Sequence, residues 1–145
     1  MLIVDTGPLV SIADTKDRHY QSCLDLLQTD PSPLVTTSLV IAEAGYLLAR
    51  NLGPAAETIL IDMICDGTLT VADLDINDWV RVRELTDTYS DLPLGVTDAS
   101  LIALAEREKT TRIATLDRRH FRVVRPVHTT GFVLLPEGIP EKRPA

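Results

Sequence analysis

Short apolar runs bordered by carboxylates constrain this chain more than any other feature. Leu2-Ile3-Val4 ends at Asp5, and Arg112-Ile113-Ala114-Thr115-Leu116 ends at Asp117. Glu43 lies inside Leu39-Val40-Ile41-Ala42-Glu43-Ala44, and Asp98 opens Asp98-Ala99-Ser100-Leu101-Ile102-Ala103-Leu104-Ala105. Runs as short and apolar as Leu2–Val4 suit strands buried on both faces. Acids are rarely buried without compensation. Four of them set against core-like sequence therefore point to one site that holds a cation.

The segments between these runs read as helices. Gly7-Pro8 starts one that extends to Ala13, with Pro suited to a first turn, and a second runs from Asp17 to Gln28 before Asp30-Pro31-Ser32-Pro33 breaks it. Leu34–Thr36 is a strand, and Ser38 caps a helix that ends at Gly53-Pro54. Helix follows over Pro54–Cys65, strand over Leu69–Ala72 and helix over Ile76–Tyr89. Leu92-Pro93-Leu94-Gly95 is a loop, Thr97 caps a helix over Asp98–Lys109, and Arg112–Thr115 and Gly131–Leu135 are strands. Alternating short strands and helices predict an α/β fold, a three-layer α/β/α sandwich around a mostly parallel sheet. A single domain is expected over residues 1–135, followed by a loose Pro-rich tail over 136–145 that contains Pro136, Pro140 and Pro144.

Composition narrows the class. At 145 residues the chain can bury about two thirds of its unfolded surface. A hydrophobic content of 45% argues against disorder. No apolar run approaches the ~20 residues of a membrane helix, and the stretch before Asp5 lacks the basic region of a secretory signal, so a cytoplasmic protein is expected. Cys23 and Cys65 lack a CxxC or His partner and read as reduced space-fillers in helices. The net charge of −7 argues against general nucleic-acid affinity, yet half of the 14 Lys and Arg fall between Arg107 and Arg125. That stretch is either a solvated helix end and charged loop or, beside Asp117, a contact for an anion.

The sheet gives the acids a common address, because open parallel sheets build sites beyond the carboxyl ends of their strands. Asp5 and Asp117 stand at two such ends, and Asp98 stands in a helix first turn, where the dipole favours negative charge. Glu43 has Leu39, Val40, Tyr46 and Leu47 at the i±3 and i±4 positions, so it is expected to point inward with the apolar stripe. Each acid also has a plain structural reading: Asp5 as a helix cap, Asp98 as a helix-start residue, Asp117 in a turn. Without a cation the carboxylates should repel one another and raise the pKa of at least one. Bound metal should then stabilise the fold by linkage.

Taken in order, Leu2-Ile3-Val4-Asp5-Thr6-Gly7-Pro8-Leu9, Val40-Ile41-Ala42-Glu43, Asp91-Leu92-Pro93-Leu94-Gly95-Val96-Thr97-Asp98-Ala99 and Ile113-Ala114-Thr115-Leu116-Asp117-Arg118-Arg119-His120-Phe121 resemble the PIN-domain nucleases, and within them the VapC toxins of toxin–antitoxin pairs. The likeness spans residues 2 to about 135. It implies an acidic quartet at Asp5, Glu43, Asp98 and Asp117, with supporting hydroxyls on Thr6 and Thr115. Asp5 and Asp98 would be the main metal ligands, Glu43 would complete the site directly or through water, and Asp117 would favour a second ion. The resemblance further implies Mg2+ or Mn2+, as one or two ions, and endoribonuclease activity. It also implies a homodimer and a cognate antitoxin that occupies the active groove.

The residues suit that chemistry. Hard divalent cations prefer oxygen ligands, and a bound cation can activate water and stabilise the leaving oxygen of a phosphodiester. Arg118 and Arg119, with Arg112, are the expected phosphate contacts. His120 is either a general acid or a turn-packing residue. Asp5-Thr6-Gly7 also opens aspartic proteases, but those need an all-β fold with two such acids. An Asp-x-Asp phosphatase lacks its second acid, because position 7 is Gly. A PIN-like module that holds RNA or a protein without cutting stays open, and so does DNA as a substrate.

Overall fold

The computed structural model describes residues 1–140. Twelve elements alternate along these residues. The chain begins with β1 (Leu2–Val4), α1 (Thr6–Ser11), α2 (Tyr20–Thr29), β2 (Leu34–Thr37), α3 (Ser38–Leu52) and α4 (Pro54–Cys65). It continues with β3 (Leu69–Ala72), α5 (Ile76–Thr88), α6 (Val96–Glu108), β4 (Arg112–Ala114), α7 (Arg119–Val123) and β5 (Val133–Leu135). The five strands form one sheet in the order β3-β2-β1-β4-β5, and every pairing is parallel.

Burial explains the sheet. Leu2, Ile3 and Val4 are all fully buried, as are Ile113 and Ala114. Successive strand side chains point to opposite faces, so both faces of the two central strands are covered, as the expected sandwich requires. From β1 the chain steps outward to β2 and β3, then returns to place β4 on the other flank of β1. The strand order therefore reverses between β1 and β4. Such a switch point opens a crevice at the carboxyl ends of the two strands.

One helix dominates the core. Every residue of α6 from Ala99 to Ala105 is buried, which is the signature of a helix enclosed on all sides. Its C-terminal turn is tied to α5 by charge. Arg81 donates to both carboxylate oxygens of Glu106 at 2.8 and 3.0 Å, and Arg107 pairs with the buried Asp78. Asp78 also completes a reciprocal cap with Asp75 at the start of α5.

Several local expectations are corrected. Thr97 does not cap α6: the helix starts at Val96 after Gly95, and the Thr97 carbonyl accepts the Ser100 hydroxyl at 2.6 Å. The cap position of α3 belongs to Thr37 rather than Ser38, yet Thr37 does not cap through its side chain, because its hydroxyl meets Ser100 Oγ at 2.9 Å. Cys65 is exposed, so only the buried Cys23 fills interior space. The tail is not loose from its start. Pro136 is buried and its carbonyl accepts from the Arg118 guanidinium. Residues 141–145 of the expected tail lie outside the described residues. Among the described residues no helix is long and apolar enough to cross a membrane.

Candidate active site

Asp5 follows β1 directly and caps α1. Its backbone is extended, and Oδ1 accepts the Thr6 N–H at 2.7 Å. Oδ2 accepts the Thr115 hydroxyl at 2.7 Å, while the Asp5 N–H donates to the Ala114 carbonyl at 2.9 Å. The carboxylate is thus pinned between the ends of β1 and β4, at the crevice, and the residue is only 7% exposed. Burial pushes its pKa up from 3.8 to about 7; the negative charges of Asp98 and Glu43 add to the rise, and the bonds from Thr115 and Thr6 only partly offset it. Among the described residues no cationic side chain acts on it.

Asp98 arrives from α6. It occupies the third helical position, where the helix dipole favours a carboxylate. Burial raises its pKa, the contact with His120 opposes the rise, and Asp117 reinforces it. His120 lies on α7, with Nδ1 2.6 Å from Asp98 Oδ2. Asp117 is exposed in the turn after β4, where its carbonyl stands 3.2 Å from Thr115 Oγ1. Both oxygens near that hydroxyl are acceptors, so its single proton goes to the nearer one, on Asp5.

Glu43 differs from expectation. It is exposed, whereas the buried positions of α3 are Val40, Ala44, Gly45 and Leu48. The stripe repeats at i, i+4 and i+8, and one residue before Ala44 is about 100° round the helix. Glu43 therefore stands on the flank of the stripe rather than under it. That flank faces the start of α1, where Thr6 Oγ1 donates to Glu43 Oε2 at 3.2 Å. The acid expected in the core is at the site's edge.

The quartet thus shares one neighbourhood: Glu43 and Asp98 both act on Asp5, and Asp117 acts on Asp98. Among the described residues no three His, Cys, Asp or Glu side chains form a closed metal cage. Three of the four acids are instead held by partners of their own: Asp5 by Thr6 and Thr115, Glu43 by Thr6, Asp98 by His120. The donor set still fits a hard cation, because it consists of carboxylate and hydroxyl oxygens. Its buried member also carries a charge deficit that a cation would relieve. Asp5 and Asp98 would hold such an ion, Glu43 could reach it from the rim, and Asp117 would face a second one.

Two of the three expected phosphate contacts are placed elsewhere. Arg118 is buried; its Nε donates to the Thr115 carbonyl at 3.0 Å and its guanidinium also reaches the Pro136 carbonyl. A side chain folded inward onto carbonyls cannot meet phosphate, and Arg118 instead straps the Thr115–Asp117 turn to the segment after β5. Arg112 begins β4, at the end of the sheet away from the crevice, where it pairs with Asp30 and donates to Ser32 at 3.1 Å. Arg119 is exposed at the start of α7, beside the site. Two residues were not foreseen as site partners. His120, expected to act as a general acid or to pack in a turn, instead meets Asp98, and Gly7 packs so closely that an added Cβ would lie 3.1 Å from Leu116 Cβ. The one sequence signal for His120 is its place three residues after Asp117.

The chain belongs to the PIN domain family, whose sequence pattern matches residues 2–126. It is 29% identical over 135 residues to the protein named Ribonuclease VapC26 of Mycobacterium tuberculosis, covering 93% of this chain and 100% of that one. The fold is similar to that of VapC20 of Mycobacterium tuberculosis, described as a sarcin-ricin loop cleaving toxin. That likeness has a TM-score of 0.73 and 17% identity, over 78% of this chain and 87% of the other. A DNA-bound VapBC structure from Salmonella typhimurium matches with a TM-score of 0.66 and 17% identity, over 92% and 96% of the two chains.

Proposed function

We propose that this protein is a metal-dependent endoribonuclease that acts as the toxin of a toxin–antitoxin pair. The observation that carries the reading is Asp5: a buried carboxylate at the switch point of a parallel sheet, pressed by two further acids and, among the described residues, offset by no cationic side chain. Family membership and the ribonuclease relative support RNA as the substrate and an antitoxin as the partner. Toxin–antitoxin complexes among the structural neighbours point the same way.

Asp5 and Asp98 hold Mg2+ or Mn2+, with Glu43 and Asp117 completing one or two positions. When bound, the cation supplies an activated water and neutralises charge on the scissile phosphate. Thr115 and the Thr6 backbone fix the Asp5 carboxylate, and the Thr6 hydroxyl steadies Glu43. Arg119 remains as the phosphate contact of the three expected arginines. The antitoxin covers the acids with a cationic side chain, the chain pairs as a homodimer, and the protein works in the cytoplasm.

The test is cleavage of RNA in Mg2+ or Mn2+ by the wild type, by Asp98→Asn and by Asp5→Asn. Loss of a principal metal ligand should lower cleavage at least ~100-fold, judged by the two to four orders that positioned catalytic groups typically contribute. EDTA should abolish it. Equal cleavage by all three proteins would place the activity elsewhere. A folded wild type that retains RNA without cutting it would favour a binding module instead, a reading that the open arrangement of the four acids keeps in play.

A further inference from the structure

We propose that His120 is a positioning residue of the metal site: its Nδ1–H holds one oxygen of Asp98 and so turns the other toward the cation. The inference rests on the reading of the acids as a divalent-cation site. Three observations support it. The 2.6 Å contact is closer than those that Thr115 and Thr6 make to Asp5, both 2.7 Å. A carboxylate ionised to hold a cation only accepts hydrogen bonds, so in that state the facing ring nitrogen is the donor. The element that delivers the ring is also anchored. Phe121, the next residue, is 2% exposed and packs edge-on against Phe132 with ring centroids 6.3 Å apart, and Val124 is buried one turn on.

The pair joins two parts of the site that no strand connects. Asp98 comes from α6, whereas His120 and Asp117 come from the connection after β4. Metal-ligating carboxylates depend on outer hydrogen bonds for their orientation, and His120 is the side chain that supplies this bond to Asp98. A general-acid role fits the geometry less well, because Nδ1 is already committed to Asp98. A purely packing role would not require the ring nitrogen to face a carboxylate.

The experiment is Mn2+ titration of the intact protein, followed by calorimetry at fixed pH, for wild type, His120→Asn, His120→Gln and His120→Ala. An Asn amide N–H can stand where Nδ1 stood, whereas a Gln amide reaches one methylene too far. Wild type and His120→Asn should bind within about threefold of each other, and His120→Gln and His120→Ala about 10–100-fold more weakly, the usual cost of losing such a partner. Melting temperatures in EDTA should stay close together across the set. Should His120→Ala fail to fold, the Asn and Gln variants decide the question. Equal Mn2+ affinity in wild type and His120→Gln would overturn the inference, as would failure of Asn to retain affinity. An Asp98→Asn control separates the two levels: if it binds Mn2+ as tightly as wild type, or if wild type binds none, the cation site falls and His120's role falls with it.

Discussion

At Asp5 a carboxylate that already accepts two hydrogen bonds still has its pKa raised to about 7, because burial and the charges of Asp98 and Glu43 outweigh the two donors. The folded-state value lies above the ordinary 3.8, so the native protein binds the extra proton between those limits. Stability from this group is complete below pH 4 and is lost as pH rises through 7. Asp98 shifts in the same direction. Asp30 has the opposite sign, since Arg112 beside it holds its pKa well below the usual carboxylate range and its contribution is lost only as the solution becomes strongly acidic. Metal-free protein should therefore melt higher at pH 5 than at pH 8, and millimolar Mg2+ should flatten that slope by supplying the missing positive charge. Asp5→Asn should remove the penalty outright, stabilising the metal-free fold at pH 8 by roughly 1–3 kcal/mol while abolishing the response to Mg2+, as expected where a functional charge is kept at a cost in stability. Thermal melts at the two pH values, with EDTA or Mg2+, check all three outcomes.

Among the elements, the connection after β4 does most to assemble the site. Thr115 fixes Asp5, Arg118 straps the turn to Pro136, and α7 carries His120 to Asp98. Gly7 lets the start of α1 lie directly on Leu116 in the same turn. Gly7→Ala should push these segments apart by a few tenths of an ångström, costing about 1–2 kcal/mol as modest overpacking does. RNA cleavage should fall with it, and chemical denaturation beside the cleavage assay would show both effects. This region was also the least legible in the sequence. Strands at Leu2–Val4 and Leu69–Ala72 announce themselves by short apolar runs, and the acids at strand ends follow from chain order. The five residues of α7 are too few to show a helical period. Arg118's acceptor on Pro136 is 18 residues away, and no local pattern reports it. Glu43 was misplaced for a different reason: i±3 and i±4 neighbours locate a helix face only to within one position, and here that position separates the core from the rim.

At the scale of the molecule, a mostly parallel sheet was legible from the alternation of elements, and all of its pairings prove parallel. The reversal that defines the crevice was not, because single runs carry no record of which strand lies beside which. That reversal also sorts the basic residues. Arg119 stands at the carboxyl end of the sheet with the acids, and Arg112 stands at the other end with Asp30. Arg119→Ala should weaken RNA binding and reduce its salt slope by about 1, as losing one phosphate contact does, with little change in melting temperature. Arg112→Ala should do the reverse, lowering stability by leaving Asp30 without its cation while RNA affinity holds. RNA titrations at several salt concentrations beside melts of both variants separate the two roles. With a net charge of −7, any RNA binding at this crevice should depend on local cations rather than on the overall field.

If the cation site is as proposed, Asp5 and Asp98 share a divalent ion. Crystals grown with Mn2+ and measured at its absorption edge test it most directly. An anomalous peak bonded by oxygens of Asp5 and Asp98, within reach of Glu43 or Asp117, is expected, and it should disappear in Asp5→Asn. A well-ordered crevice without such a peak at saturating Mn2+, or a peak unchanged by the substitution, would contradict it.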